Sequence, residues 1–481
     1  MSKTLTIAPF NRVEGDLKIK VEIRNGVLTD AMVSGVMFRG FEKILKGRYP
    51  EDALVFTPRI CGMCSISHSV ASSNALKSVS EKFSPSENGR IARNICHAVE
   101  NVMSHLSHFY LYCAPDFLNE KYKKLAVYSH LLDRLLPAKG SSFVNILNER
   151  KRFLEILGLI AGKWPHTLAL QPGGITKSLS SSDILRILGV LEQFCSVVET
   201  VLLGMSMNDY LRIKSIAEFE SSFSQNESDL GLFFAFAMDA GLTRMGKGQG
   251  MFISGGSYPQ AENEFYFPRG SWDCGLSALD TEEITESVKY SFFESPNSSA
   301  RPAADISEPK WDKPGAYSWC KAPRYKGKVV EVGPIARQVI SGDPLMTELF
   351  MKYGSTVFTR IFARLHETVK LLSEMRLWIE RLEPNGNYYS KNVLKETASG
   401  YGITEAARGF LGHWINVNNG RIKNYQVITP TAWNASPRDE NGVPGAMEQS
   451  LINTPVEDEQ NPIEIDHIIR SYDPCLVCSV H

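Results

Sequence analysis

Two short cysteine pairs near opposite ends of the chain constrain its fold more than any other feature. Cys61 and Cys64 form one C-x-x-C motif, and Cys475 and Cys478 form a second one close to residue 481. Thiolates select soft metals, and two such pairs can surround one ion with four sulfur ligands. A shared site would bring the two ends of the chain together in one buried centre.

The spacing of the pairs alone leaves three interpretations open. The pairs can form a structural zinc site, they can be unrelated and never meet, or they can hold a catalytic metal. Small zinc ribbons place their pairs only about 15–20 residues apart, unlike the pairs in this chain. The other cysteines stand alone in the sequence, and we interpret them as buried or incidental thiols: Cys96, Cys113, Cys195, Cys274 and Cys320.

Composition limits the class of protein and of partner. Hydrophobic residues make up 43% of the chain and charged residues 22%, which is typical of a soluble globular protein. The formal net charge of −1 offers no basic excess, so we expect no nucleic-acid partner. No apolar run is long enough to predict a transmembrane segment. Nine cysteines without a secretory prefix favour a reducing, cytoplasmic location, with any membrane association made through partners.

Hydrophobic periodicity predicts a mainly α fold of the α+β class, with all 481 residues in one domain. Apolar and polar residues alternate on both sides of Asn25-Gly26, which predicts a β-hairpin at about 1–35. Apolar residues recur at three- and four-residue steps over about 50–250 and 344–400, which predicts a large helical core. Three histidines of this core are interpreted as structural, because no nearby carboxylate or cysteine completes a metal set: His97, His105 and His108.

Two segments outside the helical core have a different character. Residues of about 255–330 are rich in Pro, Gly, Ser and aromatic side chains, with short strand-like runs, and predict an irregular, peripheral β insertion. Residues 400–481 are expected to be rich in loops and to close the metal site. Loops carry chemistry when a rigid scaffold positions them, so this segment is a candidate for site residues.

The cysteine pairs lie in longer motifs that resemble a known family. R-I-C-G-M-C-S-I-S-H at 59–68 and D-P-C-L-V-C-S-V-H at 473–481 resemble the metal-binding signatures of nickel-iron hydrogenase large subunits. Other matching stretches follow in family order: N-R-V-E-G at 11–15, F-R-G-F-E at 38–42, K-A-P-R-Y at 321–325, E-V-G-P at 331–334, A-R-G at 407–409, G-H-W at 412–414, P-T at 430–431 and W-N-A-S-P-R-D at 433–439. The resemblance covers nearly the whole chain and implies reversible cleavage of H2 into protons and electrons.

The resemblance implies a role for each cysteine. Cys61 and Cys475 would bind nickel terminally, whereas Cys64 and Cys478 would bridge nickel and an iron that carries carbon monoxide and cyanide. His68, one helical turn after the first pair, would donate a hydrogen bond near a bridging sulfur.

Other matched positions would contact the metals or move protons. The resemblance places Arg408, Pro430 and Thr431 near the iron ligands and the open side of nickel. The first proton acceptor would be the Arg408 guanidinium or the sulfur of a terminal cysteine. The sequence does not decide between these two groups. Glu14 would relay the proton outward.

The resemblance also implies a second metal and a partner. Glu42, the backbone carbonyl of Val427 and His481 would bind magnesium or a similar divalent ion. An iron–sulfur small subunit would pass electrons to an acceptor, because this chain has no further cysteine cluster, and the two subunits would form an obligate heterodimer.

Several positions distinguish the chain within the family. Met63, H-L-S-H-F-Y at 105–110 and P-D-F at 115–117 resemble the cytoplasmic uptake and hydrogen-sensing branch. Ser104 stands where many relatives have aspartate, and Ala407 where proline is common. Hydrogen uptake is the expected activity, and a sensor with low turnover that signals to a kinase is the alternative. The quinone-site subunit of respiratory complex I fits less well because it lacks the four cysteines.

Two bulky side chains are predicted to control the entry of gas. The resemblance places Met63 and Tyr112 at the narrow part of a hydrophobic channel that leads to nickel. Ordinary core packing is the alternative for both, since methionine and tyrosine fill gaps in many protein interiors.

Overall fold

The N-terminal residues form an antiparallel sheet of three strands, β1 (Ser2–Phe10), β2 (Leu17–Arg24) and β3 (Val27–Gly35). The structure is a computed structural model, and it describes residues 2–297 and 299–481. Every second residue from the start of β2 is buried, as the alternation predicts. The predicted hairpin is therefore confirmed as β2 and β3, and β1 adds a third strand beside β2.

Helices account for 44% of the chain and strands for 21%, so the predicted mainly α, α+β class is confirmed. In chain order the α-helices are α1 (Phe41–Leu45), α2 (Ala53–Phe56), α3 (Ser65–Ser78), α4 (Glu87–Ser107), α5 (Ala114–Phe117), α6 (Tyr128–Leu135), α7 (Ser141–Phe153), α8 (Glu155–Ala161), α9 (Ser181–Val197), α10 (Met207–Arg212), α11 (Ile216–Phe223), α12 (Asp229–Asp239), α13 (Pro334–Ile340), α14 (Pro344–Tyr353), α15 (Val357–Glu380), α16 (Pro430–Asn434), α17 (Ala446–Leu451), α18 (Ile463–Ser471) and α19 (Leu476–Ser479). After α4 the chain continues as a π-helix over His108–Cys113.

The centre of the helical core is the contact between the two longest helices, α4 and α15. Apolar side chains bury this contact, and a charged network crosses it. Glu367 of α15 accepts from Arg337 of α13 at 2.7 Å and lies 3.0 Å from His105 of α4. The network satisfies buried polar groups that would otherwise destabilise the interior. It also gives His105 a structural partner.

The other two histidines of this region also have protein partners. His97 Nε2 lies 3.2 Å from the Ser67 hydroxyl, and His108 Nε2 lies 2.6 Å from the Arg470 carbonyl oxygen. Burial lowers the pKa of His97 and of His108 to about 3, so both rings are neutral. The structural interpretation of these histidines therefore agrees with the contacts in the structure.

The middle of the chain is the predicted irregular β region. Its strands are short and form several small sheets, in the orders β6–β7–β8, β11–β9–β13 and β10–β12, while β4 pairs with β5 in the helical part. The strands are β4 (Leu170–Gln171), β5 (Gly174–Ile175), β6 (Phe252–Ala261), β7 (Glu264–Trp272), β8 (Leu276–Ser277), β9 (Ile284–Ser287), β10 (Phe293–Glu294), β11 (Ser299–Ala300), β12 (Glu308–Pro309) and β13 (Ala322–Tyr325).

The segment that the sequence predicts to be rich in loops begins instead with a regular antiparallel sheet. Its strands are β14 (Ala398–Ala406), β15 (Gly409–Asn418) and β16 (Arg421–Ile428). Glycines obscure the strand pattern because they have low β propensity. One of them is required by packing, since a Cβ on Gly402 would lie 2.1 Å from the Ala71 carbonyl oxygen of α3. Short helices and loops follow the sheet only after residue 428.

We predict that a buried ion pair on α15 contributes strongly to stability. Arg360 donates to Glu331 at 2.8 and 3.1 Å, and both side chains are buried. Arg360→Met should lower the free energy of unfolding by about 3–5 kcal/mol, because the Glu331 charge would stay buried without its partner. Arg376→Met is the control, because Arg376 on the same helix pairs with Glu192 in contact with solvent. This change should lower the free energy of unfolding by at most about 1 kcal/mol. Equal shifts of the two chemical denaturation midpoints would contradict the prediction.

Candidate metal centre

The four predicted cysteines meet in the interior of the protein. Their sulfur atoms all lie within 4.8 Å of one another, and all four side chains are buried. Sγ–Sγ distances are 3.0 Å for Cys64 and Cys478, 3.1 Å for Cys475 and Cys478, and 3.5 Å for Cys61 and Cys475. Two pairs that never meet are therefore excluded as an interpretation. No other cluster of three or more potential metal ligands was found among residues 2–297 and 299–481.

Each pair lies at the beginning of a helix. Cys64 is the residue that precedes α3, and Cys475 is the residue that precedes α19. The second pair is held in place from outside its own segment, because the backbone N–H of Cys475 donates to the Thr431 hydroxyl at 2.9 Å. Thr431 belongs to α16, which follows the β14–β16 sheet, so this sheet helps to position the C-terminal cysteines.

One arginine joins the two cysteine loops. The guanidinium of Arg39 donates to the carbonyl oxygen of Ile60, beside the first pair, and to that of Val477, inside the second pair. Its backbone N–H also donates to the Val480 carbonyl oxygen at 3.1 Å. Arg39 was not among the predicted site residues, although its position in the F-R-G-F-E motif was a signal that it lies near the site.

Arg408 lies next to the sulfur atoms, in the turn between β14 and β15. It donates from Nε to the Asp473 carbonyl oxygen at 2.8 Å and from Nη2 to the Asp473 carboxylate at 2.9 Å. Burial opposes the charge of Arg408, yet Asp473 and the cysteine thiolates raise its pKa well above the usual value. Its Nη1 is buried and has no hydrogen-bond partner within the described residues. Asp473 is a site residue that was not predicted from the sequence.

His68 ends a chain of hydrogen bonds that orients its ring. Its Nδ1 lies 3.1 Å from His413 Nε2, and His413 Nδ1 lies 2.8 Å from the Tyr425 hydroxyl. Burial lowers the pKa of His68 to about 3, so the ring is neutral. If the Tyr425 hydroxyl donates to His413, then His413 donates to His68, and the proton of His68 is on Nε2. That nitrogen has no partner among the described residues, and His68 belongs to the lining of the cavity beside the sulfurs.

A small cavity lies against the sulfur atoms. Pro430 and Thr431, both predicted to be near the site, belong to its lining. The complete lining is Cys64, His68, Ala406, Arg408, Leu411, Pro430, Thr431, Cys475 and Cys478. Apolar side chains cover one part of the cavity, and the sulfurs, the guanidinium and the imidazole cover the other.

Glu14 is attached to the second cysteine pair through its backbone. Its N–H donates to the Pro474 carbonyl oxygen at 3.3 Å, and its carbonyl oxygen accepts from Leu476 at 2.7 Å, so Glu14 lies beside Cys475. The turn requires the glycine that follows, because Gly15 has φ +86° and a Cβ there would lie 2.9 Å from Val477. Burial is the largest cause that raises the pKa of the half-buried Glu14 carboxyl, and Cys61 adds to it.

The residues predicted to bind a divalent ion lie next to one another. Glu42 Oε1 lies 3.4 Å from His481 Nε2. The backbone N–H of Val427 donates to Glu42 at 2.9 Å, which places Val427 beside this pair, and its carbonyl oxygen as a metal ligand stays a prediction. The ammonium of Lys321 lies 3.6 Å from the other Glu42 oxygen. Burial is the largest influence and raises the pKa of Glu42, but Lys321, His481 and the Val427 N–H together outweigh it, so the pKa is lowered.

The two side chains predicted to narrow the gas channel, Met63 and Tyr112, both lie near the centre. Met63 packs against the four cysteines. Tyr112 is half-buried, and burial raises its pKa to about 12, with a further increase from the nearby Cys475. The hydroxyl of Ser104 is buried and without a partner among the described residues.

The centre fits a soft metal. Four buried thiolates at these distances repel one another strongly, so they need a cation among them. Arg408 supplies one positive charge beside the sulfurs, and its free Nη1 donor is available to a further ligand. Sulfur donors suit zinc and other soft transition metals, whereas magnesium prefers oxygen. Both zinc and nickel accept this donor set, and the relatives of the chain separate the two.

Comparison with known proteins identifies the relatives of this chain. The description of the matching family is nickel-dependent hydrogenase, and the match covers residues 39–126 and 138–481. The periplasmic [NiFeSe] hydrogenase large subunit of Desulfomicrobium baculatum is 32% identical, over 99% of this chain and 94% of its own. The hydrogenase-1 large chain of Escherichia coli K12 is 30% identical, over 100% of this chain and 95% of its own. The uptake hydrogenase large subunit of Rhodobacter capsulatus is 29% identical, also over 100% of this chain and 95% of its own.

Solved structures agree with these relatives. The Ni-Fe-Se hydrogenase from D. vulgaris Hildenborough in the reduced state superposes with a TM-score of 0.87 and 29% identity, over 100% of both chains. The reduced, active Ni-Fe-Se hydrogenase from Desulfomicrobium baculatum gives a TM-score of 0.85 with 30% identity. The family predicted from the motifs is confirmed: the chain belongs to the nickel-dependent hydrogenases and is a hydrogenase large subunit.

Proposed function

We propose that this large subunit holds a nickel-iron centre in the four-cysteine site and works physiologically in hydrogen uptake. The convergence of the four sulfurs beside the buried Arg408–Asp473 pair is the observation that carries this proposal. The uptake direction is supported by relatives that include an uptake hydrogenase, and by the motifs that resemble the cytoplasmic branch.

The four cysteines would hold two metals. Cys61 and Cys475 would bind nickel terminally, and Cys64 and Cys478 would bridge nickel to an iron that carries carbon monoxide and cyanide. When bound, such a group supplies the Lewis-acid and redox chemistry that splits H2 into a proton and a hydride. Thr431 would keep the Cys475 backbone in place through its hydroxyl.

The chain's own residues would accept and carry the proton. Arg408 makes a poor base here, because Asp473 holds its guanidinium in the charged form. We therefore infer that a terminal cysteine sulfur accepts the proton first and that Arg408 orients and polarises H2. Glu14 would take the proton next, since its backbone is bonded to the residues on both sides of Cys475.

A divalent ion near the C-terminus would complete the site. Glu42 and His481 already lie in contact, and an oxygen-preferring ion such as magnesium would replace the weak contact between them. The ion would tie α1 to the last residue, while His481 Nδ1 stays 2.5 Å from the Cys478 carbonyl oxygen. The Cys478 loop would thereby gain a second support.

The proposed partner is an iron–sulfur small subunit, in an obligate heterodimer. Relatives are named large subunit or large chain, which supports a second chain in the functional enzyme. That partner would pass electrons to an acceptor. We propose a cytoplasmic location, as the cysteine content predicts. The described part of the chain contains no helix with the length and apolar character needed to cross a membrane.

A hydrogen sensor is the second candidate function. Met63 against the sulfurs and Tyr112 nearby favour restricted access to the centre, which suits a protein with low turnover. Measured turnover with an artificial electron acceptor, compared with phosphorylation of a candidate partner kinase in the presence and absence of H2, separates uptake from sensing.

We predict that each of the four cysteines is required for nickel binding. Cys475→Ser replaces a soft thiolate with a hard hydroxyl, so nickel content should fall about tenfold or more, and H2 oxidation should fall with it. Cys195→Ala, which removes a buried thiol of α9, is the control and should keep the nickel content and the H2 oxidation of the parent. Metal analysis of the purified complex gives the answer, and zinc without nickel in the parent protein would overturn the proposed function.

We predict that Glu14→Gln lowers H2 oxidation by about 10²–10⁴-fold, because the amide keeps the shape of the side chain but cannot carry a proton. Nickel content should stay unchanged. Asp16→Asn is the matched control, because Asp16 is exposed and lies two residues after Glu14. This variant should oxidise H2 at the normal rate. Near-normal turnover of the Glu14 variant would assign the relay to another group.

We predict that Met63 and Tyr112 slow the entry of oxygen. Replacing Met63 by Val and Tyr112 by Leu together should widen access and make inactivation by oxygen faster, because H2 is smaller than O2 and already passes. The measurement is the rate of activity loss under a fixed oxygen pressure, with nickel content as the control. An unchanged rate with intact metals would show that these side chains only fill space.

A further inference from the structure

Helix α3 begins at the proposed metal site without a local cap. Its first amide groups have no intrahelical acceptor, and a Ser, Thr, Asp or Asn at the preceding position usually supplies one. Here that position is Cys64, and its side chain makes no capping bond. The sulfur is directed instead to the metal site, where it lies 3.0 Å from Cys478. A residue from elsewhere must therefore accept from these amides.

Glu100 of helix α4 takes this role. Its Oε2 accepts from the backbone N–H of Ile66 at 2.7 Å, and its Oε1 accepts from that of Ser67 at 2.8 Å. These are the second and third amides of α3, the same ones that an N-cap side chain bonds. The Ser67 hydroxyl donates to Oε1 at 2.8 Å, and the indole N–H of Trp164 donates to Oε2 at 3.1 Å.

The charge of Glu100 is held by these donors. The side chain is buried, and no Lys, Arg or His nitrogen comes within 4.0 Å of its carboxylate in the described ranges, which omit only residues 1 and 298. The positive end of the α3 dipole is therefore its main compensation. Burial raises the pKa of Glu100 to about 7, although the amide and indole donors act in the opposite direction.

We propose that Glu100 is a positioning residue for the metal centre, because its carboxylate caps α3 from outside and so fixes Cys64 at the start of that helix. His68, one turn later on α3, is fixed by the same support. This inference deepens the proposed function and rests on it, since it concerns the residues that would hold and surround the metals.

The carboxylate cannot be replaced by an amide of the same shape. Both oxygens of Glu100 face N–H donors, namely the amides of Ile66 and Ser67 and the indole of Trp164. The NH2 group of a glutamine would therefore point at an N–H group whichever way the amide is turned. Glu100→Gln should thus break the cap at constant volume, and a residue that merely filled space would tolerate it.

The experiment compares amide hydrogen exchange in Glu100→Gln with exchange in the parent protein, both as the purified complex. Exchange at Ile66 and Ser67 should become about tenfold faster, because their protection depends on this one carboxylate. Exchange at Val70, within the α3 hydrogen-bond ladder, should change by less than about twofold. Glu87→Gln, an exposed change in the first turn of α4, is the matched control and should leave all these rates unchanged.

Release of nickel to an added chelator is the second measurement. It should be about tenfold faster in Glu100→Gln than in the parent, because Cys64 loses its support. Trp164→Phe removes one donor and keeps the apolar ring, so it should shift both measurements in the same direction by a smaller factor. If Glu100→Gln does not fold, Trp164→Phe tests the proposal with the same two measurements.

Each outcome decides one point. Unchanged exchange at Ile66 and Ser67 would overturn the cap. Faster exchange with unchanged nickel release would overturn the positioning role while leaving the cap in place. A parent protein without nickel would overturn the proposed metal centre, and the exchange measurement would still report on the cap, so the two failures are distinguishable.

Discussion

Four cysteine sulfurs within 4.8 Å of one another in a dry interior are the constraint on which the rest of this structure depends. Thiolates so close together repel, and burial adds a desolvation cost for each charge. The surroundings offset both effects with fixed cations: Arg408 lies beside the sulfurs, and Arg39 lies between the two cysteine loops. A metal would complete this compensation, and the family of the chain identifies nickel as that metal.

The supports of the site come from distant parts of the chain. Thr431 holds Cys475, Arg39 bonds the carbonyl oxygens next to both pairs, and Glu100 bonds the first amides after Cys64. Capping and positioning are ordinarily local tasks, performed by the residue at the helix start. Here the residue at each helix start is a cysteine whose sulfur is needed elsewhere, so a side chain from another element performs the task.

Much of the architecture could be predicted from local patterns. Period-two alternation identified the β2–β3 hairpin, and three- and four-residue repeats identified the helical core, because each pattern reflects one face turned to the interior. The sheet of β14 to β16 was missed. Its glycines weaken the strand pattern, and the reason for one of them, the close approach of α3 to Gly402, exists only in three dimensions.

The cysteine motifs and their order along the chain were sufficient to predict the family, and with it the four sulfur ligands, because thiolate chemistry is a property of the residues themselves. The sequence by itself could not identify Asp473, Arg39 or Glu100 as supports, since ordinary Asp, Arg and Glu residues acquire such roles only through their neighbours. The tertiary structure decided these roles, because only folding brings each of these side chains next to the backbone groups and charges around the cysteines.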